Sequence, residues 1–144
     1  MKKVELKNCS LSVEILHDII CIAVFGSYHE ESFNEHRSDI DIMILCEKAL
    51  DINREVEIQD YLQGKLGDFF QFDNFHFTFI SDLNYPFSEL LISSNDKLVY
   101  KEEKYFDYVL AYTTFKRDRE NLEIMRQCNN KELEECRRGI LYLF

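Results

Sequence analysis

Seven apolar residues in a row, Ile19 to Phe25, run directly into Gly26. Such a run closed by a glycine reads as a strand buried on both faces. A second strand follows a polar excursion. In it Ile40, Ile42 and Ile44 alternate with Asp39, Asp41 and Met43. Strand side chains alternate with period 2, so the isoleucines share one face and both aspartates the other, near the strand's start. The local unit is strand, Gly-Ser turn, short helix or loop, strand.

Each half of this unit supplies what the other lacks. A Gly26-Ser27 turn opening a helix offers backbone N–H groups and a hydroxyl, which suit a phosphate. Asp39 and Asp41 point two carboxylates the same way. Carboxylates aimed at a phosphate cradle are what a Mg²⁺-nucleotide site requires. Gly-Ser alone is a common turn, and Asp-x-Asp alone is common at exposed strand ends. Together on consecutive apolar strands they favour a nucleotide site.

The Val24-Phe25-Gly26-Ser27 and Ser38-Asp39-Ile40-Asp41 segments resemble the nucleotidyltransferase superfamily related to DNA polymerase beta, in particular its minimal nucleotidyltransferase (MNT) branch. The likeness covers roughly Ile19 to Arg126, with the sharp motif confined to Gly26–Asp41. It implies an α/β (α+β) fold, a small mixed sheet flanked by helices with further helices at the C-terminus. It assigns Asp39 and Asp41 as catalytic and metal-binding residues, Gly26, Ser27 and Ser38 as nucleotide contacts, Mg²⁺ as cofactor and ATP as substrate. Many small members of this branch are antitoxins paired with a HEPN-domain ribonuclease. The resemblance therefore implies AMP transfer from Mg-ATP to a tyrosine of such a toxin.

The chain departs from the family pattern at three points. Eleven residues, Tyr28 to Ser38, separate Ser27 from Asp39, one more than usual. Glu30 and Glu31 stand where a second glycine is common. The family's third carboxylate belongs on the strand after the next helix, here Asn74 to Ile80. Phe75, Phe77 and Phe79 form one face of that strand, and Asn74, His76 and Thr78 form the other, which carries no carboxylate. His76 is a substitute base or metal ligand on the functional reading and an ordinary sheet residue on the plainer one. His29 and His36 lack paired metal-ligand spacing and read as solvated loop histidines.

At 144 residues with 46% hydrophobic content, the chain is large enough for one compact domain and its core. Its net charge of −10 repels a phosphate backbone, which argues against nucleic acid as substrate and for a basic protein partner. Cys9, Cys21, Cys46, Cys128 and Cys136 form no Cys-x-x-Cys pair. An odd cysteine count without a signal peptide or membrane-length apolar stretch fits a cytoplasmic protein.

Elsewhere, Val4 and Leu6 alternate with charges, predicting a short edge strand over residues 1–8. Ser10 can cap a helix through about His17. Apolar spacing predicts a helix over Asp51–Leu66, weakened at its end by Gly64 and Gly67. A short helix over Pro86–Ile92, a strand over Leu98–Tyr100 and a long helix over Glu102–Gln127 follow. Asn129 with Glu132 resembles a capping box, predicting a break and a last helix from Lys131. The expected division is a nucleotidyltransferase domain over 1–128 and a helical extension over 129–144. The apolar end, Gly139 to Phe144, docks on its own core or on another chain, in which case Leu133, Ile140, Leu143 and Phe144 are the contacts.

Two functions of different class remain. The enzyme reading is adenylyl transfer to the toxin. The binding reading keeps the fold and the partner and neutralises by occlusion alone. Transfer to a small molecule such as an aminoglycoside fits less well, since those enzymes usually carry a further substrate-binding domain. The toxin role is excluded because the Arg-x₄₋₆-His ribonuclease pattern is absent.

Overall fold

The computed structural model describes residues 3–12 and 14–143, the last eight of these by backbone only. Four strands form one mixed sheet in the order β3-β2-β1-β4. They are β1 (Ile19–Phe25), β2 (Ile40–Cys46), β3 (Phe75–Ile80) and β4 (Lys97–Val99). β1 lies antiparallel to both β2 and β4, whereas β2 and β3 are parallel, joined through helix α1 (Ile52–Phe70).

Both faces of the sheet are covered. Ile22, Val24, Ile40, Ile42 and Ile44 pack with Leu6, Leu16 and the α1 stripe Ile58, Leu62, Leu66 and Phe70. On the other face Cys21, Ala23, Met43, Leu45 and Ile80 pack with Leu91 of helix α2 (Phe87–Ser93), against Tyr105 and Tyr108. The aspartate face of β2 is thus open only at its beginning, because Met43 already lies under this second layer. Cys21 and Cys46 behave as small core hydrophobes, and burial pushes both thiols up to about 12.

Several local expectations give way to tertiary contacts. The predicted edge strand is a single 3₁₀ turn, Leu6–Asn8, because the Leu6 and Lys7 N–H groups donate to the Asp96 carboxylate at 2.8 and 2.9 Å. Where a helix to His17 is predicted, residues 10–12 are irregular, residues 14–17 form a turn and Val13 lies outside the described residues; the Ile15 carbonyl accepts from the Arg54 guanidinium. Helix α1 begins at its Asp51 cap, whose carboxylate accepts from Arg54 N at 2.8 Å. It runs past both glycines to Phe70 and stops at Gln71, which adopts a left-handed conformation (φ 53°). About 1 kcal/mol per helical glycine is small beside burial of Leu62, Leu66 and Phe70.

Helix α3 (Glu102–Leu143) continues through Asn129 and Asn130 without the predicted break. Asparagine is only a moderate helix former, and neither glycine nor proline stands there to stop the helix. The chain falls into two compact units, Met1–Tyr108 and Val109–Phe144. Leu133 is exposed; the side chains of Ile140, Leu143 and Phe144 lie outside the described residues. Among the described residues no helix is long and apolar enough to cross a membrane.

Candidate functional site

The site forms where β1 ends, β2 begins and β3 begins. Phe25, the last residue of β1, pairs with Asp41, and Asp41 in turn lies level with His76 on β3. Gly26 follows with φ at 73°, a left-handed conformation that turns the chain sharply off the sheet. A Cβ on Gly26 would lie 2.4 Å from Asp41 Oδ2. The glycine is therefore required twice, by the turn and by the carboxylate packed on it.

Residues 26–29 form a turn that does not continue into a helix; α1 starts only at Ile52. Backbone N–H groups free to face an anion would therefore belong to the turn itself. Among the described residues none accepts from the N–H groups of Ser27, Tyr28 or His29, whereas Glu30 N is used internally, donating to Ser27 O at 2.9 Å. Tyr28 anchors the turn from beneath. Its ring is fully buried, meets Phe33 and Phe70 edge-on, and its hydroxyl accepts from Val4 N at 3.0 Å.

Asp41 is partly buried, and burial raises its pKa; repulsion from Asp39 adds to the rise. His76 Nδ1, 3.5 Å from Asp41 Oδ1, opposes both. Asp39 and Asp41 thus form a carboxylate pair of the kind a hard divalent cation stabilises, and His76 occupies the flank where a third carboxylate was expected. Ser38 is committed to the loop: its N–H donates to Asn34 O at 2.7 Å and its Oγ accepts from Asn34 N at 3.0 Å. Its hydroxyl hydrogen remains for a ligand. His36 is exposed, with its Nε2 3.8 Å from a Glu35 carboxylate oxygen and its backbone N–H donating to Asn34 Oδ1 at 2.9 Å. Among the described residues no group of three or more His, Cys, Asp or Glu side chains is preassembled for a metal.

Asp96 was missed by sequence reasoning. It is only 5% exposed, and besides the two N–H groups of residues 6 and 7 it receives His29 Nε2 at 2.7 Å. His29 is therefore tethered rather than free in solvent. The neighbouring Ser94 Oγ donates to Val24 O at 2.6 Å, and Val24 N donates to Asp96 O at 2.9 Å. This strap holds the end of β1 just before Gly26. The only sequence signal was Ser94-Asn95-Asp96, a polar tripeptide typical of turns. Beside it opens a cleft of about 580 Å³, reaching from Gly26 to Leu90 and Asn95.

Residues 12–105 match the family model described as Polymerase beta, Nucleotidyltransferase. Two solved structures share the fold. One is a mutant of the toxin–antitoxin complex MntA-HpeT, with TM-score 0.50 and 19% identity over 84% of this chain and 93% of that chain. The other is the tri-AMPylated Shewanella oneidensis HEPN toxin in complex with MNT antitoxin, with TM-score 0.51 and 18% identity over 85% and 88%. No curated protein matches the sequence.

Proposed function

This chain belongs to the polymerase beta nucleotidyltransferase family, and from that premise we propose that it is a cytoplasmic antitoxin of the MNT type. In this reading it transfers AMP from Mg-ATP to a tyrosine of a HEPN ribonuclease toxin. The carrying observation is the contact of Asp41 with Gly26 at the mouth of the turn, with Asp39 beside it. It puts two carboxylates next to a turn in which the N–H groups of Ser27, Tyr28 and His29 have no acceptor among the described residues. Both structural relatives are toxin–antitoxin complexes, and one contains an AMPylated toxin.

The donor set suits Mg²⁺, a hard cation that takes one or two protein carboxylates together with substrate phosphates. Asp39 and Asp41 would hold such an ion, which would supply charge neutralisation at the phosphate oxygens, while Gly26, the Ser27 hydroxyl and the turn's N–H groups would orient the triphosphate. Ser38 adds a hydroxyl at the same edge. The tyrosine oxygen, releasing its phenolic proton to solvent, forms a bond to the α-phosphorus as the bond from that phosphorus to the α,β-bridging oxygen breaks and pyrophosphate leaves. Catalysis of this kind comes from positioning and charge, which these residues supply.

A second reading, neutralisation by occlusion alone, is favoured by His76. An imidazole level with Asp41 does not bring the negative charge of a third carboxylate. Intact mass spectrometry separates the two. The toxin is co-expressed with the wild-type chain or with the Asp39→Ala/Asp41→Ala variant. AMP-sized mass increments that disappear with the variant support transfer. Neutralisation that persists in the variant, with no mass change in either sample, establishes occlusion instead.

A further inference from the structure

The family match begins at residue 12, yet the turn after β1 is gripped from residues that precede it. Three consecutive turn residues are held, each by a different contact. The Tyr28 hydroxyl accepts from Val4 N at 3.0 Å, and the Glu30 carbonyl accepts from Lys3 Nζ at 2.7 Å. Between them, His29 Nε2–H donates to Asp96 Oδ2 at 2.7 Å. That carboxylate is fixed in turn by the Leu6 and Lys7 N–H groups, and Asp96 is buried. Residues 3–7 therefore form a clasp on the turn, with Asp96 as its anchor.

The clasp leaves particular atoms alone. Each grip falls on a side chain or a carbonyl, and none uses the N–H of Ser27, Tyr28 or His29. Three donors thus stay free while the chain that carries them is fixed. Donors ordered before an anion arrives bind it more tightly than donors ordered on arrival, because folding has already met the ordering cost. Order counts for more here than in a basic loop. Residues 26–36 contain no Lys or Arg and do contain Glu30 and Glu31, so side-chain charge does not attract phosphate to the turn.

His29 is the turn residue whose own side chain reaches the buried anchor. Its ring also meets the Tyr28 ring edge-on at 4.7 Å, so imidazole, Tyr28 and Asp96 lock one another. We propose that His29 is a positioning residue for the triphosphate, tied to Asp96 so that the N–H groups of residues 27–29 keep the arrangement that receives phosphate. The inference rests on the nucleotide-site reading above and adds to it the group that keeps the turn ordered.

The test is calorimetric binding of inorganic tripolyphosphate and of ATP, each with Mg²⁺, to the full chain. His29→Ala is expected to weaken both ligands about tenfold, the scale of one hydrogen bond to a charged group. His29→Gln, whose amide N–H reaches the place of Nε2, should bind within about twofold of wild type. Asp96→Asn should weaken both ligands as His29→Ala does, and the double variant should be no weaker than Asp96→Asn alone, as expected of two residues acting as one unit. His29→Ala that binds like wild type overturns the proposal. So does a His29→Gln protein as weak as His29→Ala, which would make the imidazole itself the phosphate contact. Additive losses in the double variant overturn it too; should Asp96→Asn fail to fold, the two His29 variants decide alone. In all these outcomes wild type still binds and the nucleotide-site reading stands, whereas wild type that binds neither ligand overturns that reading itself.

Discussion

Gly26 does its work by lacking a side chain, and a single methyl group tests that. Alanine at this position must hold φ near 73° and place a carbon 2.4 Å from Asp41 Oδ2. The backbone conformation alone costs about 1–2 kcal/mol for a residue with a Cβ. The contact adds to that, since Asp41 must rotate off the turn. Gly26→Ala is therefore expected to lower the thermal midpoint by several degrees and to weaken Mg-ATP binding, read by thermal melts and calorimetry on one preparation. A variant that melts like wild type and binds ATP equally well would show that Asp41 does not depend on the glycine. At this scale the sequence was informative for residues defined by a motif. Gly26, Asp39 and Asp41, singled out from the motif, are brought together at one edge of the sheet. Asp96 was not legible, because its partners at positions 6, 7 and 29 are remote in sequence and only the fold assembles them.

Elements were legible where periodicity was strong. The strands at Ile19–Phe25 and Ile40–Cys46 and the helical stripe of α1 follow directly from apolar spacing. The segment before β1 misled because its backbone groups bond to distant side chains instead of to one another. Arg54 of α1 shows the effect. It donates from Nε to Asp18 Oδ2 at 3.0 Å and from Nη2 to Asp18 Oδ1 at 2.9 Å, and also reaches the Ile15 carbonyl. This fork fixes the first turn of α1 to the entry of β1. The Arg54 hydrogen bonds hold the Asp18 carboxyl below the usual carboxylate range. A carboxyl whose folded pKa lies below its unfolded value of about 3.9 stabilises the fold above that pH and loses the contribution as pH falls through the folded value. Asp18→Asn should therefore be less stable than wild type at pH 7 by about 1.5–3 kcal/mol, the scale of hydrogen bonds to a charged group. The gap should close as urea midpoints are followed from pH 5 into the acid range. A gap that stays constant across that range would remove the ion pair from the account of stability.

Charge is divided unevenly along the whole molecule. Residues 1–108 contain 10 Lys and Arg against 21 Asp and Glu, whereas residues 109–144 contain 7 against 6. The first unit thus has a net charge of −11 and the second +1, so the acidity of the chain resides entirely in the unit bearing the site. Composition gave the total of −10, but only the fold shows that one compact unit carries it. Such a unit attracts a basic partner over roughly a Debye length, about 10 Å at 0.1 M salt, and repels nucleic acid. If the partner is a ribonuclease toxin with a basic substrate groove, long-range attraction brings the two together before any contact forms. Steering of this kind raises the association rate and leaves dissociation comparatively unaffected. Stopped-flow or surface-based kinetics with the toxin should then show an association rate falling about tenfold or more from 50 mM to 500 mM salt, with a nearly constant dissociation rate. Adding RNA should slow association further, since it screens the same basic groove. An association rate indifferent to salt would mean that the acidic unit does not guide the encounter and that recognition rests on short-range contacts.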